Sequence, residues 1–223
     1  MVKRLFDLLV SAVALFVSSP LCVIMAVWIR LDSPGPVFYR GLRIGRRGRE
    51  FRIYKFRSMR AGAEKHGGMS TSDMDRRITR AGYFIRKYKL DEISQLLNVF
   101  FGHMSLVGPR PEVLKYVSQY TEEEKAILSL RPGITDWASI WNADEGAVLA
   151  GATDADKAYE ELIRPTKLKL QLMYARHNNL WTDLKILFYT VYKIVRRDWL
   201  PRELIPYGRL LPSRVTGANR SFQ

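Results

Sequence analysis

From Leu8 to Ile29 the chain carries no charged side chain, and most positions are Leu, Val, Ala, Ile, Phe, Met or Trp. A helix of that length can span a bilayer. Near its middle, Ser18-Ser19-Pro20 interrupts the run; proline lacks an N–H and clashes with the carbonyl one turn earlier, so a kink is expected there. Two topologies compete, a spanning helix and a re-entrant helix-break-helix that returns to the face it entered by. Both flanks are basic, with Lys3 and Arg4 before the run and Arg30, Arg40 and Arg43 after it, so neither end is marked for translocation. The backbone freed at Pro20 must be satisfied internally, which makes Ser18 and Ser19 partners in the break.

Past this segment the periodicity shortens. Turn formers occupy Asp32 to Pro36, and the stretch from Val37 to Arg60 reads as two short strands joined by a glycine-bearing turn, a hairpin. Residues 61–75, rich in Gly, Ser, Thr and Met, read as a loop. Ile93, Leu96, Leu97, Val99, Phe100 and Phe101 suit a buried helical face ended by Gly102. Pro111 to Tyr120 and Glu122 to Leu130 read as short helices separated at Thr121, an N-cap before three glutamates, and Arg131-Pro132-Gly133 demands a turn. Ala155 to Asn178, restarting at Pro165, and Leu180 to Arg197 are helical in pattern. Charges at Asp183, Lys185, Lys193 and Arg196 make the last an amphipathic interfacial or core helix instead of a second span. The fold class expected is α+β, mainly helical, with an N-terminal membrane segment and one further domain; the residues after Pro201 look irregular.

Composition narrows the partners without choosing one. The 223 residues, 47% hydrophobic, supply ample core for one domain. A formal charge of +14 and a pI near 10.0 predict attraction to polyanions, whether nucleic acid, an anionic membrane or phosphorylated small molecules. Eight arginines and one lysine stand between residues 40 and 60 against the lone Glu50; such alternation is usually a solvated strand face, but beside an apolar segment it suits anionic headgroups. The single cysteine, Cys22, excludes an intramolecular disulfide and sits among apolar neighbours. The phosphate loop GxxxxGK[ST], the GxGxxG fingerprint and the GxSxG elbow are all missing from the sequence. His66, His103 and His177 are far apart in sequence, which argues against a histidine zinc site.

Candidate chemistry concentrates between Lys89 and Pro111. Asp91 and Glu92 open a helix just after Arg86, Lys87 and Lys89, so a phosphate could sit beside a carboxylate without prohibitive repulsion. Ordinary N-terminal capping explains the same pair. Arg110, caged between Pro109 and Pro111, has limited backbone freedom and could hold its fork toward phosphate. The bland alternatives are a structural salt bridge for Arg110 and an exposed strand for Lys55 and Arg57. If a metal takes part, Asp91 and substrate phosphate oxygens point to magnesium.

Taken in order, KRLFD at Lys3 to Asp7, Ser19-Pro20, SPGPVFYR at Ser33 to Arg40, YKFRSM at Tyr54 to Met59, RITRAGYFIRK at Arg77 to Lys87, LDEISQLLNV at Leu90 to Val99, MSLVGPRP at Met104 to Pro111 and RPGIT at Arg131 to Thr135 closely resemble the bacterial sugar transferase family of small monotopic phosphoglycosyl transferases, which act on polyprenyl phosphate. The resemblance implies a re-entrant membrane helix over 1–32 broken at Ser19-Pro20 and a catalytic domain over 33–200 on the cytoplasmic face of a bacterial inner membrane, followed by a tail over 201–223. It also implies a magnesium-dependent dyad at Asp91 and Glu92, with Asp91 as nucleophile on the β-phosphorus of a UDP-sugar and as metal ligand. Lys55, Arg57, Arg86, Arg110 and Arg131 are the expected phosphate-binding cations. A phosphosugar would pass through Asp91 to undecaprenyl phosphate, releasing UMP.

The implied partners are thus the UDP-sugar, the polyprenyl phosphate and membrane lipids, with no nucleic acid and with self-association left open. The chain departs from the family after RPGIT, where GWAQVNGRN is common and Asp136 to Glu145 reads DWASIWNADE; the departure is expected to bear on donor-sugar specificity and on nucleotide contacts. The rival readings are a membrane-tethered basic binding module without catalysis, and a membrane scaffold that has lost activity.

Overall fold

A computed structural model describes residues 1–63, 71, 75–150, 152–196 and 198–208. Most of the expected loop over 61–75, and the tail beyond 208, lie outside the described residues.

Helix α1, Val2–Asp32, is continuous, with Pro20 inside it. The expected division into two helices is therefore not seen, and hydrogen bonding gives the reason. Pro20 cannot donate to the Phe16 carbonyl, but Ser19 Oγ does so at 2.7 Å, while Ser18 Oγ donates to Ala14 O at 2.6 Å. The serines thus satisfy carbonyls around the proline.

Four short strands follow: β1 (Phe38–Tyr39), β2 (Leu42–Ile44), β3 (Glu50–Arg52) and β4 (Lys55–Phe56). β2 pairs with β3 and β1 with β4, both antiparallel, so the expected hairpin is present with each arm interrupted once. Helix α2 (Arg80–Lys87) starts at Thr79, whose side chain accepts from Gly82 N. A 3₁₀ turn over Leu90–Gln95 leads into α3 (Leu96–Phe100), which stops at Gly102 with φ +83, a conformation glycine adopts without strain.

Strand β5 (Ser105–Val107) runs parallel to β6 (Gly133–Thr135), a pairing that periodicity does not announce. Between them lie α4 (Leu114–Val117) and a 3₁₀ turn over Glu124–Ser129. Thr121 Oγ1 accepts from Glu124 N while Glu124 Oε2 accepts from Thr121 N, the reciprocal capping expected there. The rest is helical: α5 (Trp137–Trp141), α6 (Glu145–Val148), α7 (Ala155–Ala158), a π turn over Tyr159–Ile163, α8 (Arg164–His177, with Pro165 in its first turn) and α9 (Leu180–Val195). The segment just past Pro201 is not irregular, since Arg202–Tyr207 forms a 3₁₀ turn that buries Leu204. The fold is mainly helical α+β, as expected.

Both ends of α1 dock on the rest of the chain. Near its start, buried Asp7 accepts from Ser105 Oγ at 2.8 Å and Leu106 N at 3.1 Å, Lys3 pairs with Asp183, and Arg4 caps α3 through the carbonyls of Val99 and Phe100. Near its end, Met25 and Ile29 join Phe56, Ala81 and Ile85 in a second core cluster. Between these ends Val13, Phe16 and Val17 are exposed. Trp181, Phe188, Val191 and Val195 give α9 an exposed apolar face as well.

Candidate active site

The 3₁₀ turn that carries the two carboxylates begins at Lys89, held in the left-handed region with φ +56. Its buried face is polar, against the apolar face expected: Asp91, Ser94, Gln95 and Asn98 are buried beside Val99, while Phe100 and Phe101 are exposed. Asn98 explains part of this. Its Oδ1 accepts from Tyr54 N at 2.7 Å and its Nδ2 donates to Arg52 O at 3.0 Å, so one buried side chain pins the hairpin arm just before Lys55.

That anchorage brings Lys55 onto the carboxylates. Lys55 Nζ lies 2.9 Å from Asp91 Oδ2 and 3.4 Å from Glu92 Oε1. Arg110 also forks onto Glu92, through Nη1 to Oε2 at 3.2 Å and through Nη2 to Oε1. Burial pushes the Glu92 carboxyl up, but the Arg110 guanidinium and the Lys55 ammonium outweigh it and hold the group well below the usual carboxylate range. The charge of Glu92 in turn holds Arg110 above its ordinary value. Glu92 is therefore a fixed anion that orients two cations, whereas Asp91 shares one oxygen with Lys55.

Arg110 is held from behind as well. Its backbone N donates to Asp136 Oδ2 at 3.2 Å, and Gln171 Nε2 bridges Asp136 Oδ2 at 3.2 Å and Arg110 O at 3.4 Å. Fully buried Asp136 also caps α5, accepting from Ser139 N and Oγ at 2.7 Å. The unusual DWAS segment thus supports the arginine loop; an Asp three positions before Ser139 at a helix start was the only sequence signal for it. Next to the loop, Glu112 pairs with Lys167, and Tyr159 OH donates to Glu112 at 2.9 Å. No local sequence pattern announces this network, because its members are 47 and 55 residues apart.

The other expected cations are placed elsewhere. Arg57 is buried and donates to the carbonyls of Ile29, Ser33 and Pro34, ending α1 and holding the turn after it; its forks are occupied by the fold, so it is not disposed to bind phosphate. Arg131 Nε donates to Gly102 O at 3.1 Å, and the side chain lines a cavity at the hairpin tip, not the dyad. Arg86, half-buried in the last turn of α2, has its charge acting on Asp75. Lys55, Arg110, Asp91 and Glu92 are the expected residues that the fold brings together.

A carboxylate paired with an ammonium, beside a fixed carboxylate and guanidinium, can receive an electrophilic phosphorus while the cations neutralise its oxygens. Asp91 Oδ2 faces Lys55, which leaves Oδ1 as a hard oxygen donor; with phosphate oxygens it would suit magnesium, which commonly takes one or two protein carboxylates.

The bacterial sugar transferase family model matches residues 1–197. The chain is 40% identical over 199 residues to the UDP-N-acetylgalactosamine-undecaprenyl-phosphate N-acetylgalactosaminephosphotransferase of Aeromonas hydrophila, covering 87% of this chain and 44% of the relative. It is 35% identical over 196 residues to the UDP-glucose:undecaprenyl-phosphate glucose-1-phosphate transferase of Klebsiella pneumoniae, covering 86% and 39%. The chain thus spans less than half the length of these two relatives. With the uncharacterized sugar transferase EpsL of Bacillus subtilis it shares 35% identity over 193 residues, covering 86% of this chain and 87% of that one.

Proposed function

The chain belongs to the bacterial sugar transferase family, and on that premise we propose that it transfers a phosphosugar from a UDP-sugar to undecaprenyl phosphate, releasing UMP. The observation that carries the reading is the placement of Asp91, buried, with one oxygen 2.9 Å from Lys55 and flanked by the Glu92–Arg110 pair. The names of the similar transferases from Aeromonas and Klebsiella support the donor and acceptor classes, and they differ in the sugar.

In the proposed first step, an Asp91 oxygen attacks the phosphorus attached to the sugar, and the bond from that phosphorus to the bridging oxygen breaks, with UMP taking the electron pair. In the second, a phosphate oxygen of the lipid attacks the same phosphorus and Asp91 leaves as carboxylate, yielding the polyprenyl diphosphate sugar. Splitting the reaction keeps two bulky anions from having to occupy the site at once. Lys55 moves from the Asp91 carboxylate toward the phosphoryl oxygens as charge shifts onto them. Arg110, held by Glu92 in front and Asp136 behind, offers a fixed donor fork. Magnesium, when bound at Asp91 and the diphosphate, would neutralise leaving-group charge.

The proposed setting is the cytoplasmic face of a bacterial inner membrane, with α1 entering and leaving by that face. A straight helix of 31 residues would be about 46 Å long, against roughly 30 Å of hydrocarbon. Docking of both its ends on one body, with its apolar middle exposed, supports a re-entrant course.

The test is intact mass after incubating the chain with UDP-sugar and magnesium but no lipid acceptor. A phosphosugar adduct mapped to Asp91, absent from Asp91→Asn, is expected. No adduct under rapid quench, with UMP leaving only after both substrates are bound, would establish direct transfer and sink the covalent route.

A further inference from the structure

The tip of the hairpin gathers cations that the dyad does not use. Arg46, Arg47 and Arg49 from the turn between β2 and β3, with Arg131 and His103, line a cavity of about 320 Å³ beside Phe51. Among the described residues Glu50 is the one carboxylate in its lining. Two of the arginines are pinned by backbone carbonyls, Arg46 Nε to Ser129 O at 2.9 Å and Arg131 Nε to Gly102 O at 3.1 Å, so their terminal nitrogens keep their donors. Among the described residues none of the four arginines forms an ion pair. Arg47 adopts φ +59, a left-handed conformation that costs a non-glycine residue energy. Four arginines line one cavity, two of them pinned, against a single carboxylate in the described lining, and a bound anion would relieve their mutual repulsion.

The surroundings say which anion. Phe100 and Phe101, immediately before the cavity's Gly102 and His103, are 39% and 57% exposed. Arg4, which caps α3 at the same place, sits on α1 between exposed Val2 and Leu5. Exposed apolar side chains thus precede the cavity's Gly102 and His103 directly in the chain. None of Lys55, Asp91, Glu92 and Arg110 lines this cavity, so its occupant is held by residues other than those of the dyad.

We propose that this cavity binds the headgroup phosphate of an anionic phospholipid, its acyl chains lying along Phe100 and Phe101, and so fastens the hairpin tip to the bilayer. Arginine forks match phosphate oxygens in pairs, which a diffuse positive field does not require. The inference rests on the membrane placement proposed above and not on the transfer reaction.

The experiment uses the full chain in a neutral detergent, titrated separately with dioleoyl phosphatidylglycerol, with the matching phosphatidylcholine, and with phosphatidylglycerol in excess inorganic phosphate, with bound lipids counted by native mass spectrometry. The wild type should retain one phosphatidylglycerol in preference to phosphatidylcholine, undisplaced by inorganic phosphate. The charge-conserving pair Arg47→Lys with Arg49→Lys, at an exposed turn, should weaken that retention about tenfold. Equal retention by wild type and variant would reduce the effect to net charge and overturn the site. Displacement by inorganic phosphate would assign the cavity to a soluble anion and overturn the lipid assignment, as would equal retention of the two lipids. Sedimentation of both proteins with cell membranes reports separately on α1: if the wild type stays soluble, the membrane placement fails, whatever the cavity binds.

Discussion

Gly133→Ala tests whether the arginine loop is positioned by the parallel strand pair. A Cβ built on Gly133 would stand 2.1 Å from Gly108 N, 2.4 Å from Gly108 O and 2.7 Å from Gly108 Cα. Every one of those atoms is backbone, so no side chain can rotate aside. Restoring even 3.0 Å to the nearest atom requires about 0.9 Å of separation, the difference between 3.0 and 2.1 Å. The loop cannot absorb that locally, because Gly108 N donates to Thr135 O and Gly133 N donates to Pro109 O, each at 3.0 Å. The displacement passes to Arg110, two residues from Gly108, and to its fork on Glu92. Overpacking of this kind costs about 1–3 kcal/mol, which lowers the melting temperature by about 2–12 °C in a domain of this size. A reactive group misplaced by about 1 Å costs roughly 100-fold in rate. Release of UMP with undecaprenyl phosphate as acceptor, measured beside thermal unfolding in detergent, reads both effects. If Gly133→Ala melts with the wild type and turns over within about threefold of it, the two glycines do not set the loop and the reasoning is wrong.

Glu112→Gln should destabilise the fold by about 3–5 kcal/mol, since it strands the buried Lys167 ammonium. Burial pushes the Glu112 carboxyl up, but Lys167 and Tyr159 override it and hold it low; its contribution is therefore complete above the ordinary glutamate value of about 4.3 and is lost as pH falls below it. Unfolding curves from pH 7 to 3 should accordingly show a smaller wild-type advantage over Glu112→Gln at the acid end, and a constant advantage would refute the pairing. Asn98→Leu removes the bonds to Tyr54 N and Arg52 O and should cost about 2–6 kcal/mol, at 1–3 for each backbone group left unpaired; an unchanged midpoint in chemical denaturation counts against that anchor. A cysteine at Lys3 in a Cys22→Ser background should resist membrane-impermeant thiol reagents in intact cells, and labelling from outside would exclude a re-entrant α1.

The elements that periodicity announces are those whose burial is one-sided. Helices α8 and α9, the hairpin and the Thr121 cap all appear where their patterns place them. What periodicity misses is long-range polar pairing. The β5–β6 pair joins residues 28 positions apart, Ser105 with Gly133, and neither strand has enough residues to show alternation. The break expected at Pro20 illustrates the converse error: the proline rule is correct about the lost N–H, but Ser19 satisfies the freed carbonyl locally and the helix runs on.

The site was legible in its chemistry and only half legible in its members. Asp91, Glu92 and Arg110 stand out in sequence because a carboxylate pair at a helix start and a proline-caged arginine are unusual, and they do converge. Lys55 converges as well, but by means that no local pattern contains: Asn98, on the face expected to be apolar, ties the hairpin arm to the carboxylate turn. Arg57, two residues further along the same arm, points into the carbonyls that end α1. Two cations with the same composition signal and nearly the same position thus divide between the site and the end of α1. That division is itself informative. The backbone that presents Lys55 to Asp91 continues directly into the arginine that closes α1, so one short stretch of chain sets both the ammonium facing the candidate nucleophile and the end of α1.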